Sequence, residues 1–74
     1  MHPWDYLILD VFYKESGGDF IESVASQHAN LFSNIGKDEL ISYLAELPNE
    51  GWQFVYVHRM NEQNEFYYFR RNAG

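Results

Sequence analysis

Leu40 to Val57, LISYLAELPNEGWQFVYV, constrains the fold of this chain more than any other stretch. Leu40, Ile41, Leu44 and Leu47 recur at helical spacing with Tyr43 beside them, giving a helix one apolar stripe. Asp38 and Glu39 fall in its first turn, where carboxylates favour the positive end of the helix dipole. The pattern predicts a helix from about Lys37 to Leu47. Pro48 disfavours the α conformation at Leu47 and lacks a backbone donor, so the helix stops there. Gly51 has the freedom to swing the chain back, and Trp52 opens a strand.

Seventy-four residues make one small domain, 1–74. A chain of this size hides only about 60% of the surface its unfolded form exposes, so its private core is marginal. Disulfides, a metal or self-association usually compensate. The chain has no cysteine, which removes disulfides and thiolate ligands. His2, His28 and His58 lack the i, i+4 spacing that places two ligands on one helix face. No metal or cofactor is implied, and self-association is the remaining route.

Trp4 to Tyr13, WDYLILDVFY, predicts a strand. Its faces are Leu7, Leu9, Val11, Tyr13 and Trp4, Tyr6, Ile8, Asp10, Phe12, both largely apolar. Such a strand is buried on both sides or has one side covered by a second molecule. Lys14 to Gly18 reads as a turn. The next segment divides two ways. Phe20, Val24, His28 and Phe32 fit a helix capped by Asp19, with Glu22 three residues on. Asp19 to Ala25 also fits a strand returning antiparallel to the first. Gln27 to Gly36 reads as a loop, with Ser33-Asn34 and Gly36 as breakers.

Trp52 to Met60 and Phe66 to Arg71 read as strands joined by the polar turn Asn61 to Glu65. Alternation puts Trp52, Phe54, Tyr56 and His58 on one face of the first, with Val55 and Val57 on the other. In the second, Phe66, Tyr68 and Arg70 alternate with Tyr67, Phe69 and Arg71.

YLAELPNEGWQFVYV, a turn and FYYFRR, after an opening WDYLILDV, resemble the small bacterial domain-of-unknown-function family 4177. The matching positions are Trp4, Tyr6, Leu40, Leu44, Leu47, Glu50, Gly51, Trp52, Val55, Tyr68, Phe69 and Arg70. Residues 4–13 and 37–71 carry the resemblance and 14–36 carry little of it. Pro48 departs from the glycine more usual after the helix in that family, which bears on the turn geometry. Longer members that place a second strand after the first favour the hairpin reading of 19–25. The family name assigns no activity, so the resemblance implies architecture alone. The expected fold is α+β: an antiparallel sheet of three to four strands, in order β-β-α-β-β, with one helix on one face.

Five basic residues stand against eleven acidic ones, a formal net charge of -6. Phosphate-backbone binding relies on clustered Lys and Arg, so a nucleic-acid partner is disfavoured. No segment approaches the roughly 20 apolar residues of a membrane span. Met1-His2-Pro3-Trp4-Asp5 lacks the basic and apolar regions of a signal peptide, so a soluble cytoplasmic protein is expected.

Chemistry has few footholds here. A serine in a GxSxG context and a phosphate-cradling glycine loop are both missing. Glu50 reads as a solvated turn residue rather than a general acid, and Trp52 as a core anchor rather than a stacking platform. Hydrolysis by Glu50, Glu62 or Glu65 with His58 requires those groups to converge in one cleft. A ligand pocket between subunits draws on Trp52, Tyr56, His58 and Arg59, rings beside a cation and an imidazole. It would suit a nucleotide or aromatic metabolite.

The aromatic content is the anomaly: 14 of 74 residues are Phe, Trp or Tyr, concentrated in the three clearest strands. One helix covers one face of a small sheet, so the other face or an edge is left with apolar area of the kind that marks interfaces. The function expected is a non-enzymatic module that self-associates as a dimer or higher homo-oligomer, or that binds a protein partner.

Overall fold

The structure, a computed structural model, describes residues 3–15 and 18–73. Five strands and one helix follow one another as β1 (Trp4–Tyr13), β2 (Phe20–Ser26), β3 (Asn30–Gly36), α1 (Lys37–Glu46), β4 (Gln53–Asn61) and β5 (Asn64–Asn72). A 3-10 turn, Leu47–Glu50, follows α1. All strand pairings are antiparallel, in spatial order β3-β2-β1-β5-β4. β1 is therefore central, as its two apolar faces require.

The expected three to four strands are corrected to five, in order β-β-β-α-β-β. The hairpin reading of 19–25 holds as β2, but the predicted loop over Gln27–Gly36 contains β3. The cause is irregular backbone. Ile21 and Val24 both enter the core, three residues apart, facing Ile35 and Phe32 in β3. Asn34 takes a φ of 54°, a left-handed conformation tolerated by asparagine. A period of three erases the alternation that reveals a strand and imitates a helix. Part of the turn expected over Lys14–Gly18 lies outside the described residues, as does His2.

The core forms between α1 and one sheet face. Val11 and Tyr13 of β1, Ile21 and Val24 of β2, Ile35 of β3 and Leu40 of α1 make one cluster. Leu9, Leu47 and Phe69 make the second, with Leu7, Tyr43, Leu44 and Trp52 against it. The stripe runs through Leu40, Tyr43, Leu44 and Leu47; Ile41, expected on it, is 54% exposed. No β4 residue enters either cluster. Among the described residues no helix is long and apolar enough to cross a membrane.

Candidate interaction surface

The turn between helix and β4 is a structural knot. Pro48 is the second residue of the 3-10 turn, Gly51 takes a φ of 88°, and Trp52 N–H donates to the Leu47 carbonyl. Arg71, from the end of β5, lies over Trp52 with its guanidinium carbon 4.1 Å from the ring centroid. The same side chain donates to the Glu50 carbonyl and approaches the Asp5 carboxylate at 3.9 Å. A Cβ on Gly51 would sit 3.2 Å from Arg71 Cδ, so glycine serves both the backbone angle and the close approach. A cleft of about 320 Å³ opens here between Asp5, Tyr6, Leu7, His28, Trp52 and Arg71. Its cation is already shared among Trp52, Glu50 and Asp5. Replacing Arg71 by alanine is expected to cost about 1–2 kcal/mol, from the cation–π contact and one charged hydrogen bond. Chemical denaturation with Trp52 emission as the probe measures it. No loss would mean that Trp52 is held by the core alone.

The four residues proposed for a ligand pocket are distributed over both faces. Cross-strand partners share a face, and Phe54 pairs with the buried Phe69, Tyr56 with Tyr68, Val57 with Tyr67 and His58 with Phe66. The register shifts between Phe54 and Tyr56. Val55 is the extra residue of that bulge, and it reverses the alternation expected for β4. Trp52 and Phe54 therefore face the helix side, while Tyr56 and His58 face away. Arg59 pairs with Glu65 on the helix side, and its guanidinium caps the hairpin through the carbonyls of Asn61 and Glu62. Of the four, Tyr56 and His58 share one surface within the chain. Glu65 and His58 lie on opposite faces, and Glu50 and Glu62 lie beyond opposite ends of β4.

A polar group does sit in the core, where sequence reading placed only an alternating strand. Tyr13 is 7% exposed and donates its hydroxyl to a Glu65 carboxylate oxygen at 2.6 Å, with Tyr67 adjacent. Burial, and then the Glu65 hydrogen bond, push the Tyr13 ionisation well above the ordinary tyrosine value of 10. Tyr67 is raised too, chiefly by burial. A folded-state pKa above the unfolded one stabilises below the unfolded value and ceases to do so as pH rises past it. Stability is expected to fall above about pH 10, with a slope of up to ~1.4 kcal/mol per pH unit for each such tyrosine. Tyr13→Phe, about 1 kcal/mol less stable at neutral pH for the lost hydrogen bond, has the flatter alkaline slope. Thermal melts across that range check it; parallel slopes would count against the buried hydroxyl.

The sheet face opposite α1 has no covering element among the described residues. β1 presents Trp4, Tyr6, Ile8 and Phe12 there, β5 presents Phe66 and Tyr68, and β4 presents Tyr56 and His58. Tyr56 and Tyr68 stack with centroids 4.5 Å apart and planes 13° from parallel. Only two formal charges from these three strands point to this side, Asp10 and Arg70. Each is held by a neighbour: Asn64 donates to the Asp10 carboxylate, and Arg70 lies 4.3 Å over the Trp4 ring. Tyr6 is 58% exposed and Tyr56 is 50% exposed. What this face can do chemically is exclude water against another apolar surface. Family models, curated proteins and solved structures, each searched for a likeness to this chain, yield no match.

Proposed function

We propose that this chain is a non-enzymatic module that works by self-association, its open aromatic face packing on the same face of a second copy. The observation that carries this reading is the charge depletion of that face. The chain has a net charge of -6, yet β1, β5 and β4 together place one carboxylate and one guanidinium there, both already engaged. Interface centres are depleted of charge and enriched in aromatics and arginine, whereas a surface selected only for solubility is not. The resemblance to family 4177 belongs to the same proposal, supported by the order of opening strand, helix, Glu50-Gly51-Trp52 and closing hairpin.

Trp4 lies on the open face and Trp52 under Arg71, so tryptophan emission tests the reading. Dilution of the native protein is expected to shift the emission to longer wavelength as Trp4 meets water. The shift disappears in Trp4→Phe, which leaves Trp52 as the sole reporter. Emission that is independent of protein concentration would contradict face-to-face packing.

A further inference from the structure

We infer that the outer edge of β4 docks the β4 strand of a second copy, antiparallel, about a two-fold axis normal to the sheet. β4 is last in the strand order, so one row of its N–H and C=O groups has no ladder partner. Edge strands are ordinarily guarded by proline, lysine, inward charge, a β-bulge that twists the edge away or a covering element. Gln53–Asn61 contains neither proline nor lysine, and its one arginine is turned back onto the hairpin. The helix does not reach it, and every residue of the strand is exposed. Phe54 is 57%, Val55 45%, Tyr56 50% and Val57 44% exposed, four consecutive apolar or aromatic residues open on both faces. Of these guards β4 carries register irregularities at Val55 and between Arg59 and Asn61; they twist the strand, but the Phe54–Val57 run adds no charge to repel a partner.

Self-pairing fits this edge better than an arbitrary strand does. An antiparallel two-fold through Phe54–Val57 lays the apolar run on its own copy, the self-complementary arrangement of a two-fold interface. It places position 59 of each copy near the Glu50–Trp52 end of the other, so the two Arg59 residues lie at opposite ends of the joint. Parallel pairing would instead set Arg59 beside Arg59, a like-charge contact.

The geometry also fixes how the two surfaces combine. The edge two-fold runs along the sheet normal, while the two-fold of face-to-face packing lies between the sheets and parallel to them. Perpendicular two-folds that intersect close at four copies. The product is a pair of ten-stranded sheets packed through their aromatic faces, with the helices outside. This tetramer rests on the face-to-face reading proposed above; the edge pairing stands without it.

Sedimentation of the wild type, the edge variant Val55→Lys/Val57→Lys, the face variant Tyr6→Glu and their combination separates the two interfaces. Expected masses are four times 8.8 kDa for the wild type, twice for each variant and once for the combination. An edge variant with wild-type mass overturns the edge pairing and leaves the face reading intact. A face variant with wild-type mass, beside a responsive edge variant, overturns the face reading and the tetramer but keeps the edge. A single-chain wild type overturns both. Should the edge variant fail to fold, cysteine cross-linking decides, because the chain has no cysteine of its own. Single cysteines are placed in turn at 54, 55, 56 and 57, with Glu39→Cys on the exposed helix side as control. Antiparallel partners lie about 4.5–5.5 Å apart at Cα, within disulfide reach. At least one of the four is expected to form a disulfide-linked pair in air where the control does not. If none does, the edge pairing is overturned.

Discussion

Leu40→Ala is expected to remove about 3 kcal/mol of stability, enough to leave the chain largely unfolded near 37 °C. Leu40 is 1% exposed and is the only residue of α1 that is fully buried. It fills the space between Val11 and Tyr13 of β1, Ile21 and Val24 of β2 and Ile35 of β3. Truncation there loses the transfer energy of the leucine and leaves a cavity that five neighbours from three strands cannot all close. A single core in a chain this short supplies roughly 3–5 kcal/mol, so the loss is most of the total. In thermal terms it is a fall of roughly 12–24 °C. Ile41→Ala is the control. Ile41 is adjacent in sequence but 54% exposed, and its truncation is expected to cost less than about 0.5 kcal/mol. Equal losses in the two variants would mean that the helix presents a different stripe to the sheet.

The second large effect concerns assembly rather than folding. Tyr6→Glu is expected to weaken face-to-face association at least 100-fold, about 2.7 kcal/mol. In the monomer Tyr6 is 58% exposed, so the carboxylate stays hydrated and the fold is expected to change by no more than about 0.5 kcal/mol. In the packed assembly that carboxylate is desolvated on a face whose one guanidinium already lies over Trp4. A two-fold interface repeats the substitution, which doubles the penalty. Analytical ultracentrifugation beside far-UV circular dichroism reads both quantities. A Tyr6→Glu protein that is folded and associates as tightly as the wild type would remove the open face from the interface.

The parts of this fold that the sequence reveals are those with regular periodicity. β1 alternates throughout, the extra residue of its irregular register with β2 being Glu22, and Leu7, Leu9, Val11 and Tyr13 all turn inward as alternation requires. β5 keeps the same regularity, with Phe69 buried and Tyr68 on the other face. The Glu50-Gly51-Trp52 turn resembles chemistry in sequence and is a joint in three dimensions. Trp52 reads correctly as a core anchor, but its partner Arg71 is 19 residues away and carries no local signal. What escapes the sequence escapes through bulges. Asn34 and the irregular β2–β3 register hide a strand, and Val55 divides a set of residues that strict alternation would gather on one face. The ligand set Trp52, Tyr56, His58 and Arg59 depends on proximity along β4, and that bulge helps distribute it over two faces. Hydrophobic content, by contrast, survives any shift of register. Three aromatic strands and one helix leave apolar surface over, whichever side each ring takes.

Sedimentation equilibrium of the unmodified protein at micromolar concentration bears most directly on self-association. A mass well above the single-chain 8.8 kDa, falling on dilution, is the expected result. A protein that remains at 8.8 kDa and stays folded as it is diluted would contradict it.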